Sequence, residues 1–138
     1  MSIKGIVTVI RIPFLILALI LGILGAAVAW YESRFFGSPF NPGYAVLATF
    51  GLLVAHAAVN IFNDYFDARS GLDYKTNRTP FSGGSGAAPE GLLTVPQVLW
   101  LGLVCMLILI PIALFFVLNS GWMLLPLLVL AAILIIFY

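Results

Sequence analysis

The residues best suited to chemistry in this chain fall in one stretch, Asn60-Ile61-Phe62-Asn63-Asp64-Tyr65-Phe66-Asp67. Asn60, Asn63, Asp64 and Asp67 recur at i, i+3, i+4 and i+7, the spacing that sets side chains on one face of a helix. His56 extends that stripe one turn earlier. Two carboxylates three residues apart repel each other unless a cation lies between them. A compact face of hard oxygen donors suits Mg²⁺, which keeps several waters and binds through one or two carboxylates plus substrate phosphates. On this reading Asp64 and Asp67 are the metal ligands and the catalytic pair. Asn60 and Asn63 then orient metal-bound waters or the substrate. The plain alternative is a helix that ends in solvated Asn and Asp side chains.

The residues that follow favour the first reading. Asp73, Lys75, Asn77 and Arg78 lead into Ser82-Gly83-Gly84-Ser85-Gly86. Lys75 and Arg78 bring anion-binding charge, and an arginine can grip phosphate oxygens with two donors. The Gly/Ser run allows close backbone approach, and its N–H groups can form a concavity for an anion. Taken alone, such a run is more often a flexible linker. Taken in order, acids, bases and glycines are what a metal-chelated diphosphate requires.

These residues are held between apolar segments. Of 138 residues, 63% are hydrophobic and 8% are charged, and mean hydropathy is +1.18. Soluble domains carry roughly a quarter charged residues, so lipid is the solvent this chain is built for. Four segments, about 13–31, 43–66, 95–118 and 122–138, are apolar enough to cross or nearly cross a bilayer as helices. The expected fold class is therefore an all-α, multi-span transmembrane helix bundle forming one domain. The first segment is too long for a signal-peptide core and is read as a retained span. Cys105 lies inside an apolar run with no second cysteine, so no disulfide framework exists. A net charge of +1 leaves no footprint for nucleic acid.

The polar stretch at about 67–94, with the end of the preceding helix, holds seven of the eleven charges. Long loops in compact proteins are functional or disordered. Lys4 and Arg11 precede the first span, and Arg69, Lys75 and Arg78 lie between the second and third. Only Arg34 lies on the other side, so the positive-inside rule places the N-terminus and the polar loop in the cytoplasm of a cell-membrane protein. Trp30, Tyr31, Trp100 and Trp122 fall near helix ends, as interfacial anchors do. The final helix is still apolar at Tyr138, with no polar flank, which leads us to expect a piece of a longer protein.

Asn63-Asp64-x-x-Asp67, followed by Asn77-Arg78-x-Pro80-x-Ser82-Gly83, resembles the first Asp-rich motif and following loop of UbiA-type membrane prenyltransferases. Asn60 matches the asparagine that precedes that motif by one turn. The resemblance spans all four apolar segments. It implies a bundle of about nine transmembrane helices, of which four are present here. It implies a prenyl diphosphate held through Mg²⁺ by two Asp-rich motifs and a prenyl group passed to an aromatic acceptor. The substrate-binding residues implied are Asn60, Asn63, Asp73, Lys75, Arg78, Ser82 and Gly83, with Asp64 and Asp67 on the metal. Gly71 stands where many members carry another Asp, and the next acid is Asp73. That form resembles the variant in 1,4-dihydroxy-2-naphthoate prenyltransferases of menaquinone biosynthesis. The second Asp-rich motif, in the family's later helices, is not among these residues.

Two other readings compete. Asp64-x-x-Asp67-Ala68-Arg69 is superficially similar to the motif of CDP-alcohol phosphotransferases. That motif, however, needs Asp-Gly, then Ala-Arg after two spacers, then a Gly and two further Asp residues. A transporter half with an acidic ion site would place its acids near the bilayer midplane on broken helices, whereas here they end a helix.

Overall fold

Uninterrupted runs of Leu, Ile, Val and Ala can satisfy their backbone polar groups in lipid only by closing hydrogen bonds within the segment. The computed structural model describes residues 1–76 and 83–137, and it is all-helical, with no strand among the described residues. The helices are α1 (Ile3–Ile10), α2 (Ile12–Phe35), α3 (Pro42–Ser70), α4 (Val95–Ser120) and α5 (Leu124–Phe137). α2, α3 and α4 are each long and apolar enough to cross a membrane, and α5 is a shorter apolar helix.

Two features depart from the expectation drawn above. α1 is an additional helix in a stretch read only as a basic flank. α3, expected to end near residue 66, continues to Ser70, so Asp67 is helical and the loop begins at Gly71. Local chemistry sets these limits. The Asn41 side-chain oxygen accepts from the N–H groups of Gly43 and Tyr44 at 2.9 and 3.3 Å, with Pro42 preorganised for the first turn. Gly71 closes α3 at φ 78°, a left-handed cap that glycine adopts without penalty. Gln97 reaches back to accept from the Thr94 N–H at 2.9 Å and starts α4.

α3 packs against each of the other four helices. Small residues let it approach its neighbours closely, as membrane interfaces require. A Cβ at Gly102 of α4 would lie 2.9 Å from the Phe62 ring. One buried cluster joins Val9 of α1, Ile61 of α3, Ala87 and Leu93 of the loop, and Val98 of α4. A second joins Ala58 and Phe62 of α3 to Ile135 of α5. The large apolar side chains of α2, such as Ile16, Leu17, Ile20 and Leu24, are exposed.

Candidate functional site

α3 has 29 residues. At about 1.5 Å per residue it is roughly 44 Å long, against a hydrocarbon core of about 30 Å. The excess of roughly 14 Å is about nine residues at that rise, enough for the last turns, with Asn63, Asp64 and Asp67, to extend past an apolar slab of that thickness. The acids are polar but not simply solvated. Asp64 is 2% exposed, so the reading of the stripe as a wetted helix terminus fails at its central residue.

Two groups from distant parts of the chain converge on that carboxylate. Arg11 Nη2 donates to Asp64 Oδ1 at 2.6 Å. The Ser85 N–H donates to Oδ1 at 3.1 Å and to Oδ2 at 3.3 Å. Burying a lone carboxylate is costly, and a paired, hydrogen-bonded one is tolerated. α1 is positioned for this contact from both ends. The Ser2 hydroxyl accepts from the Gly5 N–H at 3.1 Å and donates to the Leu92 carbonyl at 3.3 Å. Asn60 Nδ2 donates to the Ile10 carbonyl at 2.9 Å, satisfying the last turn of α1. Arg11 then turns the chain directly into α2 with φ 55° and ψ 59°, the one left-handed non-glycine residue among those described.

The Gly/Ser stretch folds back over the end of α3. Gly83, Gly84 and Gly86 have φ of 89°, 76° and 80°. A Cβ at Gly84 would overlap the carboxylate of Asp73, and Asp73 is itself 4% exposed. The Asp67 carbonyl accepts from the Asp73 N–H at 3.3 Å, which brings the second acid back toward α3. Beyond the glycines, the Ala87 carbonyl accepts from the N–H groups of Leu92 and Leu93 at 2.9 and 3.0 Å. This fixes the compact turn whose Ala87 and Leu93 enter the core. The described part of the stretch is a packed roof, and its Ser85 amide is spent on Asp64.

The sites expected from sequence are thus partly gathered. Asp64, Asn60 and Asp73 are held inside the assembly of α1, α3 and loop. Asn63 and Asp67 are half-buried on α3, Gly83 lies in the roof, and Lys75 is exposed. Asn60 has a structural task, since its amide caps α1. Arg78 and Ser82 lie outside the described residues. Sequence reasoning missed Arg11 as a site residue and used it only for topology. Its signals were Ser2 as a helix cap and a cation just before Pro13, where α2 begins.

The donor set fits a divalent ion in kind. Asp64 and Asp67 are one helical turn apart, and the buried carboxylate already attracts a cation, the Arg11 guanidinium. Two carboxylates with the remaining positions left to water and phosphate suit Mg²⁺. Among the described residues no group of three or more His, Cys, Asp or Glu side chains gathers to hold an ion by itself.

Membrane-length helices, with a buried carboxylate roofed by a glycine loop, define an integral membrane protein with a polar site toward one end of its central helix. The chain belongs to the UbiA prenyltransferase family, whose family model matches residues 35–138. That stretch takes in α3, the loop, α4 and α5, and membership supports an activity of the prenyltransferase type. No curated protein and no solved structure matches the chain.

Proposed function

We propose that this protein transfers a prenyl group from an isoprenoid diphosphate to an aromatic acceptor such as 1,4-dihydroxy-2-naphthoate, in quinone or prenyl-lipid synthesis, at a Mg²⁺ site on the cytoplasmic side. The observation that carries this reading is the convergence of Arg11 and the Ser85 amide on buried Asp64, one turn from Asp67. Such a point concentrates both signs of charge at the membrane edge, where a diphosphate head with a lipid tail must sit.

In the proposed reaction Asp64 and Asp67 hold the ion, and Asn63 orients its water or a diphosphate oxygen. When bound, Mg²⁺ supplies Lewis-acid stabilisation of the negative charge on the leaving group. Lys75 and Arg78 neutralise the departing diphosphate, and Asp73, Ser82 and Gly83 shape the loop around it. The allylic C–O bond breaks with its electron pair leaving on the diphosphate. The acceptor's electron-rich carbon then captures the allylic cation and loses a proton. The isoprenoid tail lies along apolar surface. A groove of about 350 Å³ between α3, α4 and α5, lined by Ala55, Met106, Leu109 and Ile135 among others, offers such a surface. Ala55 stands nine residues before Asp64 on α3, about 14 Å along the helix.

The test is product mass after incubating the full-length protein in membranes with Mg²⁺, a prenyl diphosphate and a panel of aromatic acceptors. Asp64→Asn keeps the side-chain shape and should abolish transfer. Full turnover by that variant would remove Asp64 from the metal site, and no product with any acceptor would overturn the transferase reading.

A further inference from the structure

Arg11 stands where the proposed reaction needs Asp64 open. Oδ1 of Asp64 accepts both from Arg11 Nη2 and from the Ser85 N–H, while Oδ2 receives only the longer arm of the Ser85 contact. A divalent ion that took Oδ1 would meet the guanidinium at close range, where reduced solvent screening makes the repulsion strong. The pairing is nevertheless incomplete. It uses one prong of the Arg11 fork, and Arg11 Nε is a buried donor with no acceptor among the described residues. A guanidinium presents five donors in a fixed geometry, so this one is held short of its capacity.

The backbone around it is fixed. The Ile10 carbonyl is tied to Asn60, and Val9 is fully buried against Ile61, Ala87, Leu93 and Val98. The Arg11 side chain, by contrast, is 19% exposed, so its release from Asp64 does not require the backbone to shift.

We infer that Arg11 is a resident counterion for Asp64, and that a divalent ion gains this carboxylate by exchange, entering together with an anion that takes up the guanidinium. The inference rests on the proposed function in placing the ion at Asp64. A bare divalent ion that takes Asp64 Oδ1 displaces Arg11 and leaves its guanidinium beside the ion's positive charge, with Asp67 the nearby carboxylate. A divalent ion chelated by diphosphate keeps net negative charge and offers oxygens both to Nη and to the unused Nε. The empty protein therefore binds metal weakly, and metal with diphosphate binds cooperatively. Arg11 is a positioning residue in this exchange, acting on the ion through Asp64.

Equilibrium dialysis of the purified chain in detergent micelles, counting Mn²⁺ retained with protein, tests this with and without inorganic pyrophosphate. Wild type should retain Mn²⁺ about 10-fold more tightly with pyrophosphate, within the usual range of couplings between sites. Arg11→Asn removes the charge while tolerating the left-handed backbone. It should bind Mn²⁺ alone about 10-fold more tightly than wild type and lose most of the pyrophosphate dependence. Arg11→Lys keeps the charge and should keep the dependence. Equal Mn²⁺ affinity of wild type with and without pyrophosphate overturns the inference, even if no variant folds. Equal affinity of Arg11→Asn and wild type for Mn²⁺ alone overturns it as well. Undiminished retention of Mn²⁺ and pyrophosphate by Asp64→Asn sinks instead the assignment of the metal to Asp64.

Discussion

The two ends of α3 are built by different rules. At the Asp64 end, four separate pieces of chain meet: the C-terminus of α1, the glycine roof, the turn through Ala87 and Leu93, and the start of α4. Each buried polar atom there that the site depends on has been given a partner, Arg11 Nε excepted. At the Tyr44 end, α3 opens beside a cavity of about 740 Å³ lined by residues such as Gly25, Phe40, Ala48 and Phe116. Among the described residues, the side-chain hydrogen bond that ties this end of α3 to another helix runs from the Tyr44 hydroxyl to Asn119 Oδ1 at 3.3 Å, beside edge-on packing of Tyr44 on Phe115. The difference follows from what each end buries. A carboxylate removed from water demands compensation, whereas an apolar lining can meet lipid or another apolar chain without it. Organisation at the Asp64 end is thus a sign of the charge that must be kept there.

The strongest way to break this contrast is to remove the charge without its partner. Asp64→Ala leaves the partly buried Arg11 guanidinium near Asp67 with its ion pair gone. The expected loss of stability is about 3–5 kcal/mol, as for other broken buried pairs. Thermal unfolding in detergent measures it. An unchanged midpoint would mean that Arg11 simply swings to solvent and that the pair is not a structural tie.

Next in size is the roof. Gly84 has φ 76°, and a methyl group there would overlap the Asp73 carboxylate. Gly84→Ala combines a left-handed strain of about 1–3 kcal/mol with that overlap. The roof should lift from Asp64, seen as faster proteolysis between α3 and α4 and faster amide exchange at Ser85. Ser85 exchange as slow as in wild type would show that the roof is held from Ala87 onward and not by its glycines.

Gly5→Ala probes the third tie. A methyl group at Gly5 would lie 2.7 Å from Leu93 Cγ and 2.9 Å from the Leu92 carbonyl oxygen. Overpacking of this kind costs about 1–3 kcal/mol, and α1 can relieve part of it by shifting. The unfolding midpoint should fall by less than in Asp64→Ala, and a spin label at Ser2 should gain mobility. A rigid label in the variant would mean that α1 is held by Asn60 and Val9 alone.

The same contrast explains what sequence could reveal. The all-helical bundle was legible because α2, α3 and α4 carry apolar runs that lipid admits in one conformation only. The stripe from Asn60 to Asp67 was legible because its spacing is helical and its residue types are expensive at a membrane edge. α1 was not, because eight residues give two turns, too few for periodicity to outweigh the reading of Lys4 and Arg11 as basic flank. The partner of Asp64 was not, because Arg11 lies 53 residues away and nothing in local pattern reports a long-range ion pair. Asn60 shows the cost of reading a stripe as one unit. Its spacing placed it beside Asp64, but its amide is spent on the Ile10 carbonyl.

The smallest effect is expected at the opposite end, and it is the control that gives the others meaning. Tyr44→Phe removes the hydroxyl that donates to Asn119 and keeps the ring on Phe115. The bond is long and partly exposed, so its loss should cost no more than about 1 kcal/mol. The freed Asn119 Oδ1 can turn to water, while its amide keeps its bond to the Phe115 carbonyl at 2.8 Å. No charge is stranded, and no helix loses its cap. Metal retention and prenyl transfer should therefore match wild type. If Tyr44→Phe instead weakened Mn²⁺ retention, the two ends of α3 would be coupled through the helix itself. The roof, α1 and Arg11 would then not suffice to account for the site.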